Sequence, residues 1–177
     1  MPRFYPNAVT LAAGADAVAG QRKAIEAIAA SNLPGRWAVK DSFNTLDLGR
    51  GGFDVLLEAR WIRNAMPDTT ESRSDIVWTR AAKGPVADPN FAMFEGRRGF
   101  HLVAGGMLYR SDGVVGLTNV VADAADAIAV WRSLALLAAQ TFPMMPLVGY
   151  ESGVELGAAL DAGFEAGDPL TVWVRSE

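Results

Sequence analysis

The sequence predicts a single α+β domain built on a mixed sheet, in which antiparallel strands precede a β-α-β-α-β run and helices cover both faces. Three observations carry that prediction. Val114-Val115-Gly116-Leu117-Thr118-Asn119-Val120-Val121 is β-branched and apolar on both alternating faces, the pattern of an interior strand. Apolar residues then recur at helical spacing through Ile128, Val130, Trp131, Leu134, Ala135, Leu137 and Ala138. A second short strand, a second capped helix and a last strand, 170–174, follow, and the order strand, helix, strand, helix, strand in about sixty residues implies a crossover connection.

In chain order, 8–12 is short and apolar and reads as an entering strand. Gly14 and Asp16 announce a helix with Val18, Ile25 and Ile28 on one stripe, stopped by Pro34-Gly35. Trp37, Val39 and Phe43 alternate, Gly49-Arg50-Gly51-Gly52 turns, and 53–62 alternates again, so a hairpin of 37–48 with 53–63 is predicted. Residues 63–74 read as loop, Ile76-Val77-Trp78 as a small apolar island. Strands 91–95 and 100–110 are joined by Gly96-Arg97-Arg98-Gly99, whose arginines read as solvated. Ser111-Asp112-Gly113 turns into the central strand, Asp-Gly being a strong hairpin signal. Asp123 is placed to cap the helix over 126–140, with Asp126 favouring its positive end. Ser152 and Glu155 have the spacing of a capping box, worth about 1 kcal/mol at the N-cap, and Gly163 stops that helix with Phe164 placed to pack back on it. Gly105-Gly106 inside a strand pattern predicts a bulge or a close backbone approach, with a ligand as one occupant.

The 177 residues suffice for one domain with a proper core. It divides into an N-terminal part, about 1–65, of helix and hairpin, and a core of about 91–175. Cysteine is absent, which excludes disulfides, thiolate catalysis and cysteine metal sites, and one His excludes a His-rich metal centre, so no metal is expected. A net charge of -4 argues against nucleic acid, and no apolar run suffices to span a bilayer. The N-terminus lacks the pattern of a signal peptide, so a cytoplasmic location is expected.

The stretches "VVGLTNVVA", "AVWRSLALLAA", "PLVGYES", "ELGAALDAGF" and "LTVWV" together resemble the acyl-CoA N-acyltransferase (GNAT-like) superfamily over roughly residues 91–175. The stretch "VKDSFNTLDLGRGGFDVLLEARWI" is similar to the front part of uncharacterised bacterial proteins of this superfamily. The resemblance implies an acyl-CoA-dependent N-acyltransferase. Its acyl donor, acetyl-CoA or another acyl-CoA, would lie in a splay between two parallel strands, against Asn119, Val120, Val121, Ala122, Ala124, Ala125 and Tyr150. The family's pyrophosphate loop, Arg/Gln-x-x-Gly-x-Gly/Ala, corresponds to Ala122-Asp123-Ala124-Ala125-Asp126-Ala127, which has neither glycine nor a basic residue. Two unit charges about 5 Å apart repel by roughly 3 kcal/mol at an effective dielectric near 20, so a divergent member with weak or absent CoA binding is expected. The tyrosine that many members carry four residues before "GF" is Ala159 here. Many members also cover the acceptor with two helices between their first two strands; the segment 78–91 is too short for both, and the helix over 15–30 is the substitute the sequence offers.

Glu151, between a strand end and a helix start, is a candidate general base, as is His101, the lone histidine. Each has a plainer alternative: Glu151 as a solvated neighbour of the Ser152 cap, His101 as a strand residue hydrogen-bonded near a sheet end. Tyr109 and Tyr150 are candidates for lining a cleft, and the five tryptophans read as core. The acceptor would be a small molecule or amine, and a homodimer through a sheet edge is a further partner. The alternative function is a GNAT-shaped binding or assembly module that has lost CoA binding; a cleft for another small ligand is a third.

Overall fold

The computed structural model describes residues 6–31, 36–65, 74–81 and 88–175. Nine strands and three α-helices form among them, a mixed α+β architecture. The chain divides into two compact units, residues 1–60 with 168–177, and residues 61–167. Two strands, β3 (Phe53–Asn64) and β9 (Glu165–Arg175), run through the boundary.

In the first unit, β1 (Ala8–Val9) pairs parallel with β2 (Trp37–Asp41), and β2 pairs antiparallel with β9, Trp37 opposite Arg175 and Asp41 opposite Thr171. The predicted hairpin of 37–48 with 53–63 therefore does not form: β2 has β1 on one side and the C-terminal strand on the other. Local alternation marks a strand but not its partner. Helix α1 (Ala15–Ala30) has the predicted stripe, with Ile25 buried and Val18 and Ile28 packed on a cluster of Trp37, Val39, Leu46, Leu48 and Phe53. Trp37 meets Phe53 edge-on at 5.1 Å. Asp41 is completely buried; its carboxylate accepts from the Thr10 hydroxyl at 3.2 Å and the Leu46 amide at 2.7 Å, fixing the chain after β2. The stop signal at 34–35 lies outside the described residues, and α1 ends at Ala30 with the Ser31 hydroxyl donating to the Ile28 carbonyl.

The second unit contains β4 (Val77–Arg80), β5 (Phe91–Arg98), β6 (His101–Ser111), β7 (Val114–Ala122) and β8 (Leu147–Glu151). Strands β4 to β7 pair antiparallel in succession, and β7 then pairs parallel with β8. The turn into β7 has Asp112 at φ 45° and Gly113 at φ 81°, the left-handed pair of a two-residue hairpin loop. The apolar island at 76–78 extends into strand β4. Arg97 and Arg98 belong to β5 rather than to its turn. Helix α2 (Ala127–Thr141) crosses from β7 to β8, burying Val130, Trp131, Leu134, Ala135 and Ala138. Helix α3 (Gly153–Asp161) joins the same core through Ala158 and Ala159.

Two glycines of this core leave no room for a side chain or demand a special backbone. A Cβ on Gly106 would stand 2.8 Å from Leu134 of α2, so the close approach predicted at Gly105-Gly106 is made to the helix, and the register against β7 also shifts there. At the end of α3 the Phe164 amide donates to Ala159 and the Gly163 amide to Leu160, a Schellman motif around Gly163 at φ 98°. Phe164 thereby lands edge-on against Trp131 at 5.2 Å. Among the described residues no helix is long and apolar enough to cross a membrane.

Candidate functional site

The site lies where β7 and β8 part. Their pairing is limited to Val115 with Leu147 and Gly116 with Val148, although β7 runs on to Ala122 and β8 to Glu151. Just beyond that pairing the two strands pinch: a Cβ on Gly149 would meet the Leu117 carbonyl oxygen at 2.9 Å. Asn119 then takes φ 52°, left-handed and uncommon for a residue other than glycine inside a strand. The register against β6 slips here too, from Gly105 opposite Val121 to Met107 opposite Thr118, so β7 carries one residue more than β6. A left-handed residue with an extra position is a β-bulge, which bends its strand and re-aims the groups beyond it. The Asn119 side-chain Nδ2 donates to the Met107 sulfur at 3.3 Å across the bulge.

Beyond the bulge, Val121 is exposed and Val120 and Ala122 are half-buried. On β8, half-buried Tyr150 meets Trp61 edge-on at 5.7 Å. Glu151 closes β8, half-buried, and burial together with the charge of Glu155 pushes its carboxyl up to about 7. A carboxylic acid that titrates near neutrality can take up or release a proton at working pH. His101 is exposed at the start of β6, opposite Arg98 in the hairpin. Tyr109 is in register with Gly116, before the strands part. Asn119, Val120, Val121 and Ala122 thus follow the end of that pairing on β7, Tyr150 and Glu151 follow it on β8, and His101 and Tyr109 stand on β6.

The start of α2 differs from the sequence reading. Asp126, not Asp123, holds the N-cap position, and it makes no capping hydrogen bond; the Asp126 amide donates to the Asp123 carbonyl at 2.9 Å. Asp126 instead accepts from Arg98, whose Nη2 lies 3.0 Å from each carboxylate oxygen. Arg98 also holds Asp75, Nε to Oδ2 at 2.6 Å and Nη2 to Oδ1 at 3.0 Å. These bonds lower the Asp75 carboxyl below its usual range and raise the already basic guanidinium further. Arg97 bridges Glu95 at 3.0 Å, so neither arginine is simply solvated. Arg98 is the residue that sequence reasoning missed. Its partners lie 23 and 28 positions away, and only the register of β5 brings it to the helix.

At α3 the capping box is likewise not made. Ser152 is the N-cap residue but its side chain makes no cap hydrogen bond, and Gly153 at φ 54° interrupts the extended-then-helical run that such a box requires. Ala159 is fully buried, so that position offers no proton donor to a leaving group.

An acyl-CoA has two parts to place, a thioester arm and a nucleotide diphosphate. Beyond Leu117 and Gly149 the facing edges of β7 and β8 have, among the described residues, no partners in register, which leaves strand-edge groups for the arm. The start of α2 does not fit the diphosphate, because Asp126 stands there and, among the described residues, the guanidinium beside it, Arg98, is shared between two carboxylates.

No protein-family model matches the chain, and no curated protein matches it significantly. Solved structures do. A conserved protein of unknown function from Staphylococcus epidermidis superposes with a TM-score of 0.66 at 7% identity, over 94% of this chain and 83% of that one. A GCN5-related N-acetyltransferase from Kribbella flavida matches with a TM-score of 0.59 at 11% identity, over 89% and 74%. A GNAT-family protein from Novosphingobium aromaticivorans matches with a TM-score of 0.58 at 14% identity, over 86% and 81%. At such identities the likeness concerns backbone architecture, and on that ground the chain has the fold of the GCN5-related N-acetyltransferases.

Proposed function

We propose that the chain is an N-acyltransferase, moving an acyl group from a thioester to a primary amine at the opening between β7 and β8. The observation that supports this most directly is the bulge at Asn119 beside strands whose pairing in register ends at Gly116 and Val148. Parallel neighbours in a sheet ordinarily stay paired, and bulges concentrate beside functional sites. Glu151 is the base: with its carboxyl at about 7 it is partly ionised at neutral pH and accepts the proton of an incoming ammonium group. The free amine nitrogen then attacks the acyl carbon; as the C–N bond forms and the C–S bond breaks, the nitrogen sheds its second proton, which passes to the departing thiolate to leave the free thiol. Backbone amides of 119–121 are the groups placed to polarise the acyl oxygen. His101 is the second candidate base, exposed on the neighbouring strand.

The test is acyl transfer from short-chain acyl thioesters to a panel of primary amines, read out by mass spectrometry. Transfer should rise with pH along a limb centred near pH 7, set by Glu151. Glu151→Gln should lower kcat by about 10²-fold or more and erase that limb. An unchanged profile in Glu151→Gln moves the base to His101. No transfer with any donor favours the alternative, a GNAT-shaped binding module.

A further inference from the structure

We infer that the acyl donor is a pantetheine thioester lacking the nucleotide diphosphate, held by the opening between β7 and β8 alone. This rests on the acyl-transfer reading above and narrows its substrate. Two independent features of the second unit lead to it.

The first is the closure of the start of α2. A bound diphosphate needs free helix amides and uncommitted positive charge. Here the loop 122–126 has no glycine to let a phosphate approach the backbone, and the Asp126 amide is already given to the Asp123 carbonyl. Among the described residues Arg98 is the cation at that point, and its Nε and Nη2 are engaged by Asp75 and Asp126. A planar guanidinium binds phosphate well because its fork matches two oxygens, and that geometry is here spent on carboxylates. An arriving diphosphate would meet Asp126, with Asp123 three residues before it, and would have to displace both partners of Arg98.

The second is that the β7 edge facing β8 is uncharged beyond the end of their pairing. The pairing of β7 with β8 ends at Gly116 and Val148, and the part of β7 that borders the opening is Asn119, Val120, Val121 and Ala122, none of them charged. The pantetheine arm is an uncharged chain with two amides, which suits the edge of a strand whose neighbour has turned away. The near carboxylates that repel a diphosphate have nothing to repel in such an arm. The donor's binding is thereby separated from the nucleotide.

Calorimetric titration of the full chain with S-acetylpantetheine, with acetyl-CoA, and with adenosine 3′,5′-diphosphate is the test. S-acetylpantetheine should bind at least as tightly as acetyl-CoA, within about threefold, and adenosine 3′,5′-diphosphate should not displace it. Acetyl-CoA binding about tenfold tighter than S-acetylpantetheine would overturn the inference and leave the acyl-transfer reading standing. Binding of neither thioester would overturn both. In the double variant Asp123→Asn with Asp126→Asn, acetyl-CoA should gain about tenfold or more while S-acetylpantetheine is unchanged. A folded double variant with no such gain would overturn the role given to the carboxylates, and the wild-type comparison decides the matter even if the variant does not fold.

Discussion

Glu151 and Gly149 sit two positions apart on one strand and make opposite demands on their surroundings. The carboxyl of Glu151 titrates at about 7 because burial, then Glu155, disfavours its charge. The unfolded chain ionises it at the ordinary carboxylate value, so between about pH 5 and pH 8 the folded state holds more proton than the unfolded one and stability falls as pH rises. The protonated form imposes no such penalty, so the loss is absent below that window. Thermal unfolding across this window should therefore show a declining midpoint in the wild type and a flatter line in Glu151→Gln, which should be the more stable of the two at pH 8. Gly149 is constrained by space rather than charge. Gly149→Ala would press a methyl against the Leu117 carbonyl at 2.9 Å, and moving backbone there should cost about 1–3 kcal/mol. Gly157 is the control, since a Cβ in that turn of α3 meets nothing within 4 Å and Gly157→Ala should stabilise by about 0.5–1 kcal/mol. Denaturant melts of the two variants should move in opposite directions.

At the level of elements, α3 shows how far a sequence motif can be trusted. Ser152 and Glu155 have the spacing of a capping box, yet the Ser152 hydroxyl makes no cap bond and Gly153 enters the helix left-handed. Ser152→Ala should consequently cost less than about 0.5 kcal/mol, below the usual loss at an N-cap, as chemical denaturation will show. The other end of the same helix was legible: glycine is the residue for a left-handed C-terminal position, and Gly163 with Phe164 makes the predicted stop. The difference is physical. A C-terminal glycine signal depends on one residue's allowed φ, whereas a capping box also needs a backbone path that Gly153 redirects. Strand β7 and helix α2 were equally readable, because burial on both faces and a helical stripe are properties of the segment itself. The bulge at Asn119 was not, since its cause is a register against β6 that no local pattern records. Arg98 was misread for the same reason, and Asp41, a fully buried carboxylate among Thr10 and Leu46, gave no signal at all.

For the whole molecule, the order of elements from β5 to β9 was legible in the sequence, while the partner of β2 was not. Pairing β2 with β9 joins the two ends of the chain: the Thr171 hydroxyl donates to the Asn44 side chain across 127 positions, and Arg175 reaches the Ala29 carbonyl across 146. The second unit, by contrast, is continuous in sequence from 61 to 167. Deleting residues 168–177 should leave slow hydrogen exchange in β5 to β8 and α2 while abolishing it in β2. Uniform loss of protection would mean that the two units do not fold separately. On the ribosome the same connectivity sets a timetable. At roughly 5–20 residues per second, β2 leaves the tunnel on the order of ten seconds before β9 is made. During that interval a nascent chain carries an apolar strand, with Trp37 and Val39 on one face, whose antiparallel partner does not yet exist. That strand stays without its antiparallel neighbour until the residues of β9 are made.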